Sequence, residues 1–171
     1  MRKIVLQLAI SLDGLIEGPN GEFDWCFTDG DYGMTEFLNR IDAILIGRKS
    51  FELAQSLGGS TPDFPEIKEY VFSNTLSHLE GNRELVRGDI ETRVKEIKQQ
   101  PGKDIWLYGG ASLTTQLINL NLVDEIMLAV HPILLGAGKP LFQDIAQRKM
   151  LRLIESKPYP SGLVMLSYAT R

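Results

Sequence analysis

At 171 residues the chain has the size of one ordinary domain and can bury a core without disulfides or bound metal. With 43% hydrophobic and 23% charged residues it shows no signature of disorder, and a net charge of −4 speaks against a nucleic-acid partner while leaving room for a local anion site. Its single cysteine, Cys26, excludes an intrachain disulfide and a cysteine-built metal centre.

The apolar run from Ile4 to Leu12 has strand length and ends at the turn residues Asp13-Gly14. It meets no small-residue cleavage site, so it reads as a first strand rather than a signal peptide. No apolar segment is long enough to span a bilayer, and a cytoplasmic protein without a membrane partner is expected. "EGPNGEFDW" then makes a Gly-, Pro- and Asn-rich loop. Met34 to Ile41 predicts a short helix with Phe37, Leu38 and Ile41 on one face. Ala43 to Ile46 is a buried strand ended by Gly47, and Phe51, Leu53, Ala54 and Leu57 mark a helix stopped at Gly58-Gly59.

After a Pro-bearing loop, "EYVFS" and "ELVRG" are the next strand candidates. Asp89 is placed to cap a helix whose inner face is Ile90, Val94 and Ile97 and whose end is Pro101-Gly102. "DIWLYGGASLTTQL" follows: a strand, a glycine pair, and a new apolar pattern from Leu113. Past Leu122 only strands are expected, in "VDEIMLAVHPILL", "MLRLIESKPYP" and "GLVMLSYAT", the last two forming a hairpin around Pro160-Ser161-Gly162. Alternating strands and helices predict one α/β domain over 1–171, with a mixed, mostly parallel sheet, flanking helices and an antiparallel hairpin at the carboxyl end. Ligands of such sheets bind at the carboxyl ends of the strands.

Three strand ends carry candidate chemistry. Gly47 leads into Arg48, Lys49 and Ser50 in the first turn of a helix, where cations are disfavoured by the helix dipole unless an anion compensates. Gly109 and Gly110 leave backbone N–H groups bare, with no Cβ to hold a ligand away. Ser73, Asn74 and Thr75 offer hydroxyl and amide groups after a strand. A dinucleotide is long enough to touch all three sites, yet no G-x-G-x-x-G fingerprint is present, which disfavours a standard Rossmann domain. His78 and His131 have no carboxylate at ligand spacing, so no metal site is expected.

The segments "LAISLDGLIEG", "DAILIGRKSFE", "YGGASLTTQLI" and "LVDEIMLAVHPILLGAGKPLF" occur in the order seen in the dihydrofolate reductase superfamily. The chain most resembles the reductase domain of bifunctional riboflavin-biosynthesis enzymes and its small stand-alone bacterial relatives. That resemblance implies a dihydrofolate reductase-like three-layer domain with a sheet of about eight strands and NADPH across its rim. It assigns phosphate contacts to Gly47, Arg48, Lys49 and Ser50, with Arg48 on the 2′-phosphate. It further assigns the adenosine side to Ser73 and Asn74, the diphosphate turn to Gly109, Gly110, Ala111, Ser112 and Leu113, and the nicotinamide flanks to Ala9 and Ile16.

Asp13 belongs to the shared "SLDG" turn and Trp25 is expected to wall the substrate pocket. Two departures stand out. Ala111 replaces a third glycine, and the acid that dihydrofolate reductases carry after the tryptophan falls here on either Asp29 or Asp31, which register does not separate. His131 is expected to be packed and hydrogen-bonded, and "LLGAGKPLF" to be a glycine-rich loop shaping the sheet edge. The implied function is NADPH-dependent reduction of a pterin-like or ribosylaminopyrimidine-like heterocycle by a homodimer. The alternatives are a nucleotide-binding module without efficient catalysis, or a true dihydrofolate reductase.

Overall fold

A computed structural model of the chain describes residues 1–59 and 66–170. Its first strand, β1 (Ile4–Ser11), is buried along most of its length, as a strand covered on both faces must be. In chain order there follow β2 (Leu15–Glu17), α1 (Met34–Arg40), β3 (Ile41–Gly47), α2 (Arg48–Ser56), β4 (Lys68–Phe72), β5 (Arg83–Val86) and α3 (Ile90–Gln99). Then come β6 (Asp104–Gly109), α4 (Ala111–Asn119), β7 (Glu125–His131), β8 (Lys139–Pro140), β9 (Arg152–Pro158) and β10 (Val164–Ala169). Eight strands form one sheet in the order β5-β4-β3-β6-β1-β7-β10-β9. The pairs from β5 across to β7 are parallel, while β10 runs antiparallel to both β7 and β9. This is the mixed, mostly parallel sheet with a terminal hairpin expected from the alternation of elements.

Side chains along the central strands alternate between two cores. Ile4, Leu6, Leu45 and Leu107 pack with Val94 and Ile97 of α3 and Leu113 and Leu117 of α4. Val5, Ile44, Ile46 and Trp106 pack with Phe37 of α1 and Phe51 and Ala54 of α2. The sheet is thus the middle of three layers. The cap on α3 is formed as the sequence implies: Asp89 accepts from the backbone N–H of Glu91 at 3.0 Å and Thr92 at 3.4 Å. Gly58 and Gly59, at φ of 103° and 113°, stop α2, and the Gly59 amide returns to the Ala54 carbonyl at 2.8 Å. The Pro-bearing loop falls largely at 60–65, outside the described residues.

Two expectations need correction. The strand read through "VDEIMLAVHPILL" ends at His131, because Pro132 has no N–H with which to continue a ladder. The chain beyond it folds back: Leu12 donates to the Ile133 carbonyl at 2.9 Å and Leu141 to the Gly14 carbonyl at 3.1 Å. The short ribbon of β2 with β8 was not legible either. It brings "GAGKP" across the start of the Gly/Pro-rich loop so tightly that a Cβ on Gly138, whose φ is 147°, would run into the Glu17 carbonyl. The glycine-rich segment therefore shapes a separate ribbon rather than the edge of the main sheet, whose outer strand β9 is exposed throughout.

The amino-terminal rim of the sheet is held by ion pairs. Arg40, at the end of α1, donates to Asp104 at 2.8 Å and to Glu125 at 2.7 Å, joining the starts of β6 and β7. Arg2 pairs with Asp42 beside it.

Candidate cofactor and substrate site

At the opposite rim, two helices begin without side-chain caps. The N-cap residues of α2 and α4 are Gly47 and Gly110, and neither helix has an acidic residue in its first turn. Their amino-terminal N–H groups and dipole ends therefore have no anionic partner within their own helices, in contrast to α3 with Asp89. Both helix starts open onto one cavity of about 720 Å³. Arg48, Lys49 and Ser50 enter it from α2, and Ala111, Ser112 and Leu113 from α4. Ser73 and Asn74 line it from the end of β4. The cavity thus gathers the strand-end groups singled out in the sequence onto one side of the molecule.

Sequence reasoning missed Arg87 and Gly88 after β5, Lys139 of β8 and Gln143 beyond it, all of which also line this cavity. With Arg48 and Lys49 they give it a cationic bias, opposed by Asp144. Arg48 is exposed and donates to Glu52 at 3.0 Å, an i,i+4 pair of small energetic weight. The Arg87 guanidinium donates to the Leu76 carbonyl. The Ser73 hydroxyl accepts from the amides of Thr75 at 3.2 Å and Leu76 at 3.0 Å, shaping the turn that presents Asn74.

A second, largely apolar cavity of about 500 Å³ adjoins the first, and Ser50, Gly110 and Ala111 line both. Contact at this waist is close. A Cβ on Gly47 would lie 3.6 Å from the Gly110 nitrogen, and one on Gly110 would lie 2.9 Å from the Ser50 hydroxyl. Gly109, joined to Gly110 by a cis peptide bond, lines the second cavity alone. Ala9 and Ile16 lie here, with Trp106 and Tyr108 of β6 and Leu53 and Leu57 of α2. Two buried polar atoms of its lining residues, Gln7 Oε1 and Thr114 Oγ1, have no hydrogen-bond partner among the described residues. The signal for Gln7 was present in the sequence, as the one polar residue interrupting "IVLQLAI".

The loop before α1 closes this cavity. His131, buried at the end of β7, accepts at Nε2 from the Phe27 amide at 3.1 Å, so Nδ1 carries the proton that it shares with the Ala129 carbonyl at 2.9 Å. His131 is thereby the packed, hydrogen-bonded residue expected. Trp25 stacks edge-on against it, with centroids 5.3 Å apart, and is not among the lining residues, so it supports the pocket wall instead of forming it. Its indole nitrogen is buried without a hydrogen-bond partner among the described residues.

The two acids differ. Asp31 lines the cavity but is engaged as a cap, accepting from Thr35 Oγ1 at 2.6 Å, the Thr35 amide at 2.9 Å and the Gly33 amide at 3.1 Å. These bonds, the Thr35 hydroxyl foremost, hold its carboxyl below the ordinary range. Asp29 does not line the cavity and accepts from the Tyr32 hydroxyl at 2.7 Å.

Asp13 lines neither cavity. It accepts from the Ser11 hydroxyl at 2.6 Å and from the amides of Leu135 at 3.2 Å and Gly136 at 2.8 Å. Its carboxyl is held down to about 2, first by Ser11 and then by Gly136. It therefore ties the "SLDG" turn to "LLGAG", a longer reach than the local turn expected. Burial pushes the Cys26 thiol up to about 11, away from the reactive thiolate. Among the described residues no group of His, Cys, Asp and Glu is arranged to hold a metal ion, and no helix is long and apolar enough to cross a membrane.

Comparison with known proteins places this geometry. YyaP, an uncharacterized protein of Bacillus subtilis strain 168, is 48% identical over 177 residues, covering 98% of this chain and 94% of that protein. A structure from Shewanella sp. PV-4, described as belonging to riboflavin biosynthesis, superposes with a TM-score of 0.87 at 24% identity, covering 99% of both chains. A Thermotoga maritima diaminohydroxyphosphoribosylaminopyrimidine deaminase/5-amino-6-(5-phosphoribosylamino)uracil reductase superposes at 0.74 and 14% identity, covering 99% of this chain and 57% of that one. The family model of the RibD C-terminal domain matches residues 2–165, and the chain belongs to that family.

Proposed function

We propose that the protein is an NADPH-dependent reductase of a small planar heterocycle of the pterin or aminopyrimidine kind. The observation that carries this reading is the two-lobed cleft: a cationic lobe at two uncapped helix starts, joined through Ser50, Gly110 and Ala111 to an apolar lobe. The donor set fits a dinucleotide phosphate. The N–H groups of the two helix starts suit its diphosphate, Arg48 and Lys49 its further phosphate, and Asn74 its ribose. Gly110 would let that diphosphate pass between α2 and α4 where a side chain would not. The bound dinucleotide supplies the hydride.

The remaining work falls to the chain itself. The apolar lobe excludes water around the reacting ring, and Ala9 and Ile16 are among the residues that line it. The reductase named in the Thermotoga structure supports a pyrimidine-type substrate, and assembly as a homodimer is part of the same proposal. Fluorescence titration with NADPH and NADH, followed by the rate of NADPH consumption with 7,8-dihydropterin, dihydrofolate and 5-amino-6-(5-phosphoribosylamino)uracil, tests the reading. Tight NADPH binding with turnover of the pterin or the uracil supports it. Turnover of dihydrofolate alone identifies a dihydrofolate reductase, binding without turnover a nucleotide-binding module, and absence of binding overturns the assignment. Light scattering checks the dimer.

A further inference from the structure

Resting on the reductase reading, the remaining question is which group protonates the substrate as hydride arrives. The obvious groups around the apolar lobe are already engaged. Asp31 accepts three hydrogen bonds, Asp29 accepts from the Tyr32 hydroxyl, and both ring nitrogens of His131 face backbone partners. Glu17 lies 3.6 Å from the Lys139 ammonium.

Tyr108 stands apart from these. It is the residue before Gly109-Gly110 at the end of β6, so it reaches the cavity next to the waist at which the cofactor would turn. Its ring packs on Trp106 with centroids 4.7 Å apart, which fixes its direction, and its hydroxyl has no hydrogen-bond partner among the described residues. Burial, aided by the negative charge of Glu69, raises its pKa and keeps the phenol protonated. Gln7 and Tyr108 come just past the Leu6–Leu107 pair at which the parallel ladder of β1 with β6 ends. Gln7 is 4% exposed and lines the same cavity, with its carboxamide oxygen unpartnered among the described residues. The Trp106 indole donates to the Gln7 carbonyl at 2.9 Å and locks the two strands beneath these side chains. The lobe therefore carries both a phenol and a primary amide in a largely apolar lining. That pattern suits the polar edge of a planar heterocycle.

We propose that Tyr108 is the catalytic acid and that Gln7 orients the substrate by a hydrogen bond from its carboxamide. In the step, the carbon of a substrate C=N or C=O bond receives a hydride from the dihydronicotinamide, which is oxidised to the nicotinamide cation. The π bond breaks, its electron pair goes to the heteroatom, and that atom takes the Tyr108 proton. The phenolate regains a proton from water.

The test uses the full chain with Tyr108→Phe, Tyr108→Ala and Gln7→Leu, titrated with NADPH and assayed with the three probe substrates named above. Tyr108→Phe is expected to bind NADPH within about twofold of wild type and to keep KM within a few-fold, while kcat falls about 10²- to 10⁴-fold. Added phenol should restore part of the turnover of Tyr108→Ala, and Gln7→Leu should raise KM more than it lowers kcat. Wild-type turnover with Tyr108→Phe unimpaired overturns the role of Tyr108 and leaves the reductase reading standing. NADPH binding by wild type without turnover of any probe overturns this proposal while the cofactor site survives. No NADPH binding by wild type overturns both.

Discussion

A methyl group added to Gly110 would stand 2.9 Å from the hydroxyl of Ser50, so α4 and α2 meet at a glycine that leaves no room for a side chain. The φ of Gly110 is −82°, which any residue adopts, so the steric contact alone sets the restriction. Gly110→Ala should cost about 1–3 kcal/mol by overpacking, toward the lower end because the serine side chain can turn aside. NADPH affinity should fall roughly tenfold or more as the waist narrows. Ser50→Ala combined with Gly110→Ala should recover most of the stability in a double-mutant cycle read by urea unfolding, and additive losses would show that the two residues are not coupled.

Arg48 already holds Glu52, and the strength of that pair decides whether a phosphate can recruit it. An exposed i,i+4 pair contributes about 0.3–0.5 kcal/mol, whereas a charge-assisted phosphate contact contributes about 1.5–3 kcal/mol. The phosphate should therefore win. Arg48→Ala should weaken NADPH by about 1–3 kcal/mol and leave NADH nearly unchanged, while Glu52→Gln should strengthen NADPH by no more than about twofold. Equal weakening of both cofactors by Arg48→Ala would remove Arg48 from the 2′-phosphate.

Asp13 confers an acid-sensitive hold on the 133–136 segment. Its carboxyl titrates at about 2, below the ordinary 3.8, so its contribution is fully present above 3.8 and is lost as pH falls through about 2. Asp13→Asn should flatten the decline in melting temperature between about pH 4 and pH 2. Amide exchange at Leu135 and Gly136 should quicken by roughly tenfold at neutral pH, the two amides having lost a charged acceptor. Unchanged exchange would show that the clamp carries no weight.

Arg40 separates stability from function. It joins the amino-terminal ends of β6 and β7, on the rim away from both cavities, and its partner Glu125 has a side chain only 8% exposed. Arg40→Met leaves that carboxylate buried without its cation and should cost about 1.5–3 kcal/mol in chemical denaturation. NADPH affinity should be unaffected. A change in cofactor binding at constant fold would show that the two rims communicate.

Much of the architecture was legible because it rests on period and punctuation. The apolar run that starts at Ile4, the capping residue Asp89 and the stop at Gly58-Gly59 are local signals, and the structure follows them. The β2–β8 ribbon was not legible, since a three-residue strand and a two-residue strand have no period to read. The cationic lobe was foreseen where it is built from strand–helix junctions and missed at Arg87 and Lys139, which reach it through topology alone. The apolar lobe was harder still. Asp13 and Trp25 meet Leu135 and His131 far along the chain, which sequence spacing does not reveal, and Asp31 serves as a cap at the start of α1. Tyr108 instead reads as one more apolar residue of "IWLY" until the structure places it in the lining of the apolar lobe with Gln7.

The order of strands at the carboxyl end also bears on how the chain is made. Among the described residues β9 pairs with β10 alone, and β10 fills the place between it and β7. As the polypeptide leaves the ribosome, β7 emerges with one flank unpaired and Arg152–Pro158 with no ladder to join, until Val164–Ala169 follows. The nascent protein therefore keeps the β7 flank of its sheet open to solvent, and to other chains, until β10 has emerged. Slowing translation over residues 150–164 would lengthen that interval.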